Sequence, residues 1–295
     1  ISPFVPQQST NTVLRTTTME TVPKAMLAPT LTSVNCVREN TTANYALNLK
    51  PPATPPPTSA NLLHPPNNSS NTTPIQVHTL ANYLENYDSF LANYLIQGFT
   101  FGFRIPYQGP RHFRLSKNLS SIKGKEHILE ARITEELLHH RIAGPFQNPP
   151  FPNIQISPLG LVPKKSPGEY RLIHHLSFPE DSGSINHYIP KDLCTVQYQS
   201  IHTAIEIIQK MGKGALIAKT DLENAYKQIP IHPDDFELLG FMFDNQFYFD
   251  KTLPFGLSYA CNLFEKFSTA LQWMLTEKLG VQHCVHILDD FLFIG

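Results

Sequence analysis

Three carboxylates in this sequence stand where a carboxylate is costly unless a cation accompanies it. Asp221 follows the apolar run Ala215-Leu-Ile-Ala218, and Asp289 and Asp290 interrupt the run Val285-His-Ile-Leu-Asp-Asp-Phe-Leu-Phe-Ile294. An Asp at a strand end can hold a metal, but it more often caps a turn or the following helix, so Asp221 alone leaves both readings open. Adjacent acids buried in a sheet would cost far more, which puts Asp289 and Asp290 in a tight hairpin turn facing a cleft. If that hairpin lies beside the Asp221 strand, the acids converge. The result is a hard-oxygen site suited to Mg²⁺ or Mn²⁺ and not to zinc. Two such ions carry out in-line phosphoryl transfer, one activating a hydroxyl and the other stabilising the leaving group.

That chemistry also needs cations to hold phosphates. Leu159-Gly-Leu-Val-Pro-Lys-Lys165 and Tyr170-Arg-Leu-Ile-His174 read as two strands joined through Ser166-Pro-Gly168. Lys164, Lys165 and Arg171 project from this hairpin. It is either an ordinary exposed hairpin kept soluble by lysines or a clamp for a triphosphate, with Arg bidentate and Lys a mobile point charge.

The charge pattern admits the same division of labour. The net charge of −1 conceals eleven Lys/Arg against five Asp/Glu over residues 101–175, and seven against twelve over 201–295. A polyanion on the first part and metal ions on the second would suit this split, as would charges that merely decorate solvated faces. The four cysteines form no CxxC pair or regular framework, which fits free thiols in a reducing compartment. With no apolar run of membrane-spanning length and no secretory leader, the expectation is an intracellular protein of the cytoplasm or nucleus with no membrane partner.

The elements that must position these groups follow from hydrophobic spacing. Residues 1–75 are rich in Thr, Pro, Asn and Ser with only six charged residues, and are read as a disordered tail. From His78, Leu80, Tyr83, Leu84, Tyr87, Leu91, Tyr94 and Leu95 predict one amphipathic helix ending near Gly98, with Phe99–Pro106 extended. A second helix is predicted from Lys125 to Ile142, whose Arg132, His139, His140 and Arg141 could meet phosphates or simply form a solvated face. Pro145–Pro152 reads as a connector and Ile201–Lys210 as a helix. Asp244-Asn245 signals a two-residue hairpin turn, and Cys261–Lys278 a long apolar helix. The division by spacing is a tail (1–75), a helical extension (76–152) and a mixed strand-and-helix unit (153–295).

Taken in order, Lys164/Lys165 with Arg171, Asp221-Leu-Glu-Asn-Ala-Tyr226, Leu253-Pro-Phe-Gly256 and Leu288-Asp-Asp290 resemble the fingers and palm of a reverse transcriptase, with the acids 68 residues apart. Ile142-Ala-Gly-Pro-Phe146 through Lys165, and Tyr170-Arg-Leu-Ile-His-His-Leu-Ser177, further resemble the enzymes of DIRS-type retrotransposons, which integrate with a tyrosine recombinase. The resemblance spans roughly residues 77–295. It implies an α+β right-hand polymerase fold, here without a thumb, in which 76–152 lead into the fingers and 153–295 are the fingers and palm. It also implies an RNA-directed DNA polymerase acting on an RNA template with a DNA or RNA primer and dNTPs, using two Mg²⁺ ions with Mn²⁺ as a substitute. Ribonuclease H and tyrosine recombinase domains of the same element are the implied partners.

Carried over by position, Asp221, Asp289 and Asp290 are the catalytic acids, and the Leu222 carbonyl completes the metal shell. Tyr226 is the steric gate that excludes a ribose 2′-hydroxyl. Lys164, Lys165 and Arg171 grip the triphosphate, while Phe255 and Gly256 lie against the incoming nucleotide. Three positions depart from many relatives: Ile287-Leu288 replaces an aromatic-led pair before the acids, Phe255 replaces Gln, and His175 replaces an acid. The rival expectations are an inactive relic truncated after Gly295, retaining nucleic-acid binding or nothing, and an unrelated metal-dependent phosphodiesterase. The latter has no need of Tyr226 or of the basic hairpin.

Overall fold

Apolar spacing after Thr73 does build helix, but in two pieces. In the computed structural model, which describes residues 73–166, 168–180 and 182–295, α1 (Val77–Tyr83) and α2 (Ser89–Phe101) replace the single predicted helix. The break has a local cause: Asn86 takes a positive φ of 70°, and the Asp88 side chain accepts the Leu91 N–H at 2.8 Å, capping a new helix. Helix α2 also runs through the first residues expected to be extended and stops only at Gly102. The Thr/Pro/Asn-rich stretch lies outside the described residues as far as Thr72. The packed chain starts slightly before the expected boundary, since the Thr73 hydroxyl donates to the Gln228 carbonyl at 2.6 Å and Ile75 is buried in the core.

Helix α3 (Glu126–Leu138) is shorter than predicted, and His140 at φ 55° turns the chain into a strand, β1 (Ile142–Phe146), that the sequence pattern merges with helix and connector. The predicted basic hairpin forms as β2 (Leu159–Pro163) and β3 (Tyr170–His174), antiparallel and in unbroken register. Helix α4 (Ile201–Met211) follows, then β4 (Ile217–Asp221). The Asp244-Asn245 turn is confirmed, both residues at positive φ, joining β5 (Gly240–Phe243) to β6 (Gln246–Asp250). Helix α5 (Ala260–Trp273) continues as a wider π-turn to Lys278, and β7 (Cys284–Ile287) and β8 (Asp290–Ile294) form the last hairpin.

These strands make three antiparallel sheets, ordered β1-β6-β5, β2-β3 and β4-β8-β7. The largest core cluster gathers α1, α2 and α5 around Phe99, Phe103, Phe264 and Phe267. A second packs α3 against β2 and β5, and a third seats α4 on Val285 and Ile294 of the acid-bearing sheet. On the outer edge of β7 two glutamines take the place of a neighbouring strand. The His286 N–H donates to Gln199 Oε1 at 3.0 Å, and the Cys284 carbonyl accepts from Gln272 Nε2 at 2.6 Å. Among the described residues no helix is long and apolar enough to cross a membrane.

Candidate active site

Antiparallel pairing of β4 with β8 sets Asp221 opposite Asp290, while the tight turn before β8 carries Asp289. The Leu222 N–H donates to the Asp289 carbonyl at 3.0 Å, tying the turn to the end of β4. The acids that are 68 residues apart in sequence are therefore neighbours. Burial, and then the Asp290 charge, raise the Asp221 carboxyl above the usual range; burial and repulsion from Asp221 and Asp290 do the same to Asp289. A cation relieves that repulsion.

One cation is already there. Lys219 Nζ lies 2.8 Å from Asp290 Oδ1, and this bond is the main reason its ammonium is held above its ordinary range. With Asp290 so engaged, no three His, Cys, Asp or Glu side chains form a ready cage among the described residues. A facing carboxylate pair nevertheless fits Mg²⁺, which binds through one or two carboxylates and takes further oxygens from substrate phosphates and water.

The turn is under tension. Leu288 sits at φ 54°, a left-handed conformation that costs a branched residue on the order of 1–3 kcal/mol and persists only where its surroundings over-determine it. Here the buried Glu265 of α5 accepts the Leu288 N–H at Oε2, 3.1 Å away.

Tyr226 lies in a one-turn 3₁₀ segment, Ala225–Gln228, just past β4. Its ring is flanked by Phe255 (centroids 5.1 Å apart) and Phe264 (5.4 Å), and its hydroxyl is 3.1 Å from the Cys261 thiol. Burial and that thiol push the hydroxyl's pKa up. Phe255 is partly exposed beside it. Gly256 has φ 117°, and a Cβ there would overlap the His174 carbonyl oxygen, so only glycine fits. Its own carbonyl accepts from Asn186 Nδ2 at 2.7 Å.

The basic hairpin is rooted to this region without touching the acids. His174 N–H donates to the Phe255 carbonyl at 3.4 Å, and His174 Nδ1 lies 2.9 Å from Asp250 Oδ2. Asp250 Oδ1 also accepts from Lys227 Nζ at 2.9 Å, and Lys227 lies 3.4 Å from Glu136 of α3. Out on the hairpin, Lys164 pairs with Glu169 at 3.1 Å, and Lys165 and Arg171 are exposed. Among the described residues no ion pair joins these three cations to Asp221, Asp289 or Asp290.

Sequence reasoning misses Lys219, Glu265, Cys261 and the His174–Asp250–Lys227 network as site features. A signal for Lys219 is present, two residues before Asp221 on the same strand and hence on the same face. The others depend on contacts between distant elements.

Fold and residues together define a class: an α+β protein whose antiparallel sheet presents facing carboxylates, beside an aromatic cluster and a basic hairpin. Residues 162–295 match the model of the family described as reverse transcriptase (RNA-dependent DNA polymerase), a span that encloses Lys164, Lys165, Arg171, Tyr226, Phe255, Gly256 and the three acids. Over that span the chain is similar to reverse transcriptase domains, and its mixed α/β architecture agrees with a reverse-transcriptase-like fold.

Among solved structures it is similar to the native protease-reverse transcriptase of prototype foamy virus, at 19% identity and TM-score 0.45 over 64% of this chain and 22% of that one. The foamy viral protein in complex with dsDNA is 17% identical, at TM-score 0.45 over 74% and 45% of the two chains. Its complex with an RNA/DNA hybrid gives 16% and 0.45 over 74% and 29%. The chain spans less than half the length of each of these structures. No curated protein matches it.

Proposed function

We propose that the chain is the fingers and palm of an RNA-directed DNA polymerase that adds deoxynucleotides to a primer 3′-hydroxyl on an RNA template. The observation that carries this reading is the pairing of Asp221 with Asp290 across β4 and β8 while the Asp289 turn is bonded to Leu222, inside the span that matches the reverse transcriptase family. Asp221, Asp289 and the Leu222 carbonyl hold divalent cations, Mg²⁺ with Mn²⁺ as a substitute, and Asp290 is the accessory acid once it leaves Lys219. Bound there, such ions supply activation of the attacking hydroxyl and charge neutralisation on the leaving pyrophosphate.

The rest falls to the chain's own groups. Lys164, Lys165 and Arg171 approach the triphosphate from the hairpin, Phe255 and Gly256 lie along the incoming nucleotide, and the fixed ring of Tyr226 excludes a 2′-hydroxyl. The reverse transcriptase match over residues 162–295 supports a nucleic-acid template and primer as this chain's substrates. The motifs around Ile142–Lys165 and Tyr170–Ser177 support a DIRS-type element, with ribonuclease H and tyrosine recombinase domains as companions. Such an enzyme acts where RNA and dNTPs are found, in the cytoplasm or nucleus.

Primer extension on a homopolymeric RNA template tests the proposal, with the chain as given and with a longer version of it. We expect Mg²⁺-dependent incorporation that Asp221→Asn abolishes while the melting temperature is kept. No incorporation by either version would sink it.

A further inference from the structure

The strained turn beneath the acids has a holder that belongs to neither strand. Glu265 is buried on α5, 23 residues before the turn, and one of its oxygens, Oε2, accepts the Leu288 N–H at 3.1 Å. Its other oxygen, Oε1, lies 3.1 Å from Nε2 of His286, itself buried on β7. The imidazole is fixed in turn: Nδ1 bonds Gln272 Oε1 on α5, and the ring stacks on Phe291 of β8 with centroids 5.3 Å apart. Every group that fixes the Glu265 carboxyl is thus anchored on α5 or on the acid-bearing hairpin.

We propose that Glu265 is a positioning residue for Asp289, fixing the left-handed turn at Leu288 so that the Asp289 carboxyl faces Asp221. The inference rests on the polymerase reading for its catalytic consequence, though not for its geometry. A backbone N–H in a tight turn needs a stationary acceptor, and β7 and β8 provide none at Leu288, which lies between the paired strands. A carboxylate carried on the helix α5 is such an acceptor. Groups that orient metal ligands in this way shift affinity or activity by about 10–100-fold when removed. Glutamine keeps an acceptor oxygen of the same reach and its amide can still meet His286, whereas leucine keeps the volume and loses the acceptor.

The test compares wild type, Glu265→Gln and Glu265→Leu in the chain as given. Three quantities are measured: hydrogen exchange at the Leu288 amide by NMR, Mn²⁺ binding by EPR, and single-nucleotide incorporation. We expect the Leu288 amide to be protected in wild type and Glu265→Gln and to exchange freely in Glu265→Leu. Mn²⁺ binding and kcat should fall about 10–100-fold in Glu265→Leu alone, with KM for primer-template unchanged.

Equal protection at Leu288 in all three, or wild-type Mn²⁺ affinity in a folded Glu265→Leu, overturns the proposal. If Glu265→Leu does not fold, Glu265→Met carries the test, because it removes the acceptor and keeps the length of the side chain. Faster exchange at Leu288 supports the inference, and unchanged exchange defeats it. Absence of incorporation by wild type would count against the polymerase reading alone, since amide exchange and Mn²⁺ binding report on the turn without turnover.

Discussion

In the gate role proposed for it, Tyr226 would draw its selectivity from its neighbours. A ring can exclude a 2′-hydroxyl only if it does not move aside, and here Phe255, Phe264 and the Cys261 thiol hold it on three sides. Replacing Tyr226 by Ala should raise incorporation of ribonucleotides relative to deoxynucleotides by at least about tenfold, measured as the ratio of kcat/KM values. Unchanged sugar discrimination would remove the gate assignment. Asp221, Asp289, Asp290 and Tyr226 can be read from the sequence because each sits next to an apolar run or at a fixed offset from one. Glu265 and Cys261 cannot, since their meaning lies in partners 23 and 35 residues away, and a lone Glu or Cys on an apolar helix announces neither.

At the scale of elements, the hairpin β2-β3, helix α3, the Tyr226 segment and β6 meet at one buried cluster of charge. Burial alone would raise the Asp250 carboxyl, but the Lys227 ammonium and His174 outweigh it and hold it below its usual value. Burial likewise works against the Lys227 ammonium, and Asp250 with Glu136 overcomes it, so its pKa is raised. The Asp250 contribution is therefore complete above the unfolded value of 3.8 and is lost as pH falls through the lower folded one.

Asp250→Asn leaves the buried Lys227 with Glu136 as its remaining charged partner and should cost up to about 3–5 kcal/mol in urea denaturation at neutral pH. The variant should also lose stability less steeply than wild type below about pH 4. Equal stabilities would mean that the cluster does not tie these elements together. Local chemistry makes the β5-β6 hairpin legible, since Asp244-Asn245 states its own turn type. Strand β1 is not legible, because Ile142–Phe146 contains Gly144 and Pro145 and becomes a strand only by pairing with β6. The break before α2 is hidden by apolar periodicity that runs on across it.

For the whole molecule, the contrast between a basic and an acidic part is smaller than the sequence suggests. Arg104 and Arg111 of the basic part bind Asp234, Asp235 and Glu237 of the acidic part, with Asp235 fully buried, and Arg132 and Arg141 pair with Glu135 and Glu136. Arg104 and Arg111 thereby join distant parts of the fold, and these four arginines of the eleven cations are engaged within the chain. Lys165 and Arg171 on the exposed hairpin are among the rest. Binding of an RNA/DNA hybrid should weaken linearly in log K against log salt, and Lys165→Ala with Arg171→Ala should flatten the slope by about 1 per lost phosphate contact. Arg111→Ala should lower the melting temperature and leave the slope alone. A slope indifferent to the hairpin pair would place the nucleic acid elsewhere.

The two glutamines along β7 have a consequence for self-association. An open strand edge is a template on which a second copy can add its own strand and begin an aggregate. By occupying the outward His286 N–H and Cys284 carbonyl, the amides of Gln199 and Gln272 deny an incoming strand those two hydrogen bonds. Solubility on that side of the sheet thus depends on two uncharged side chains that surface charge alone would not identify.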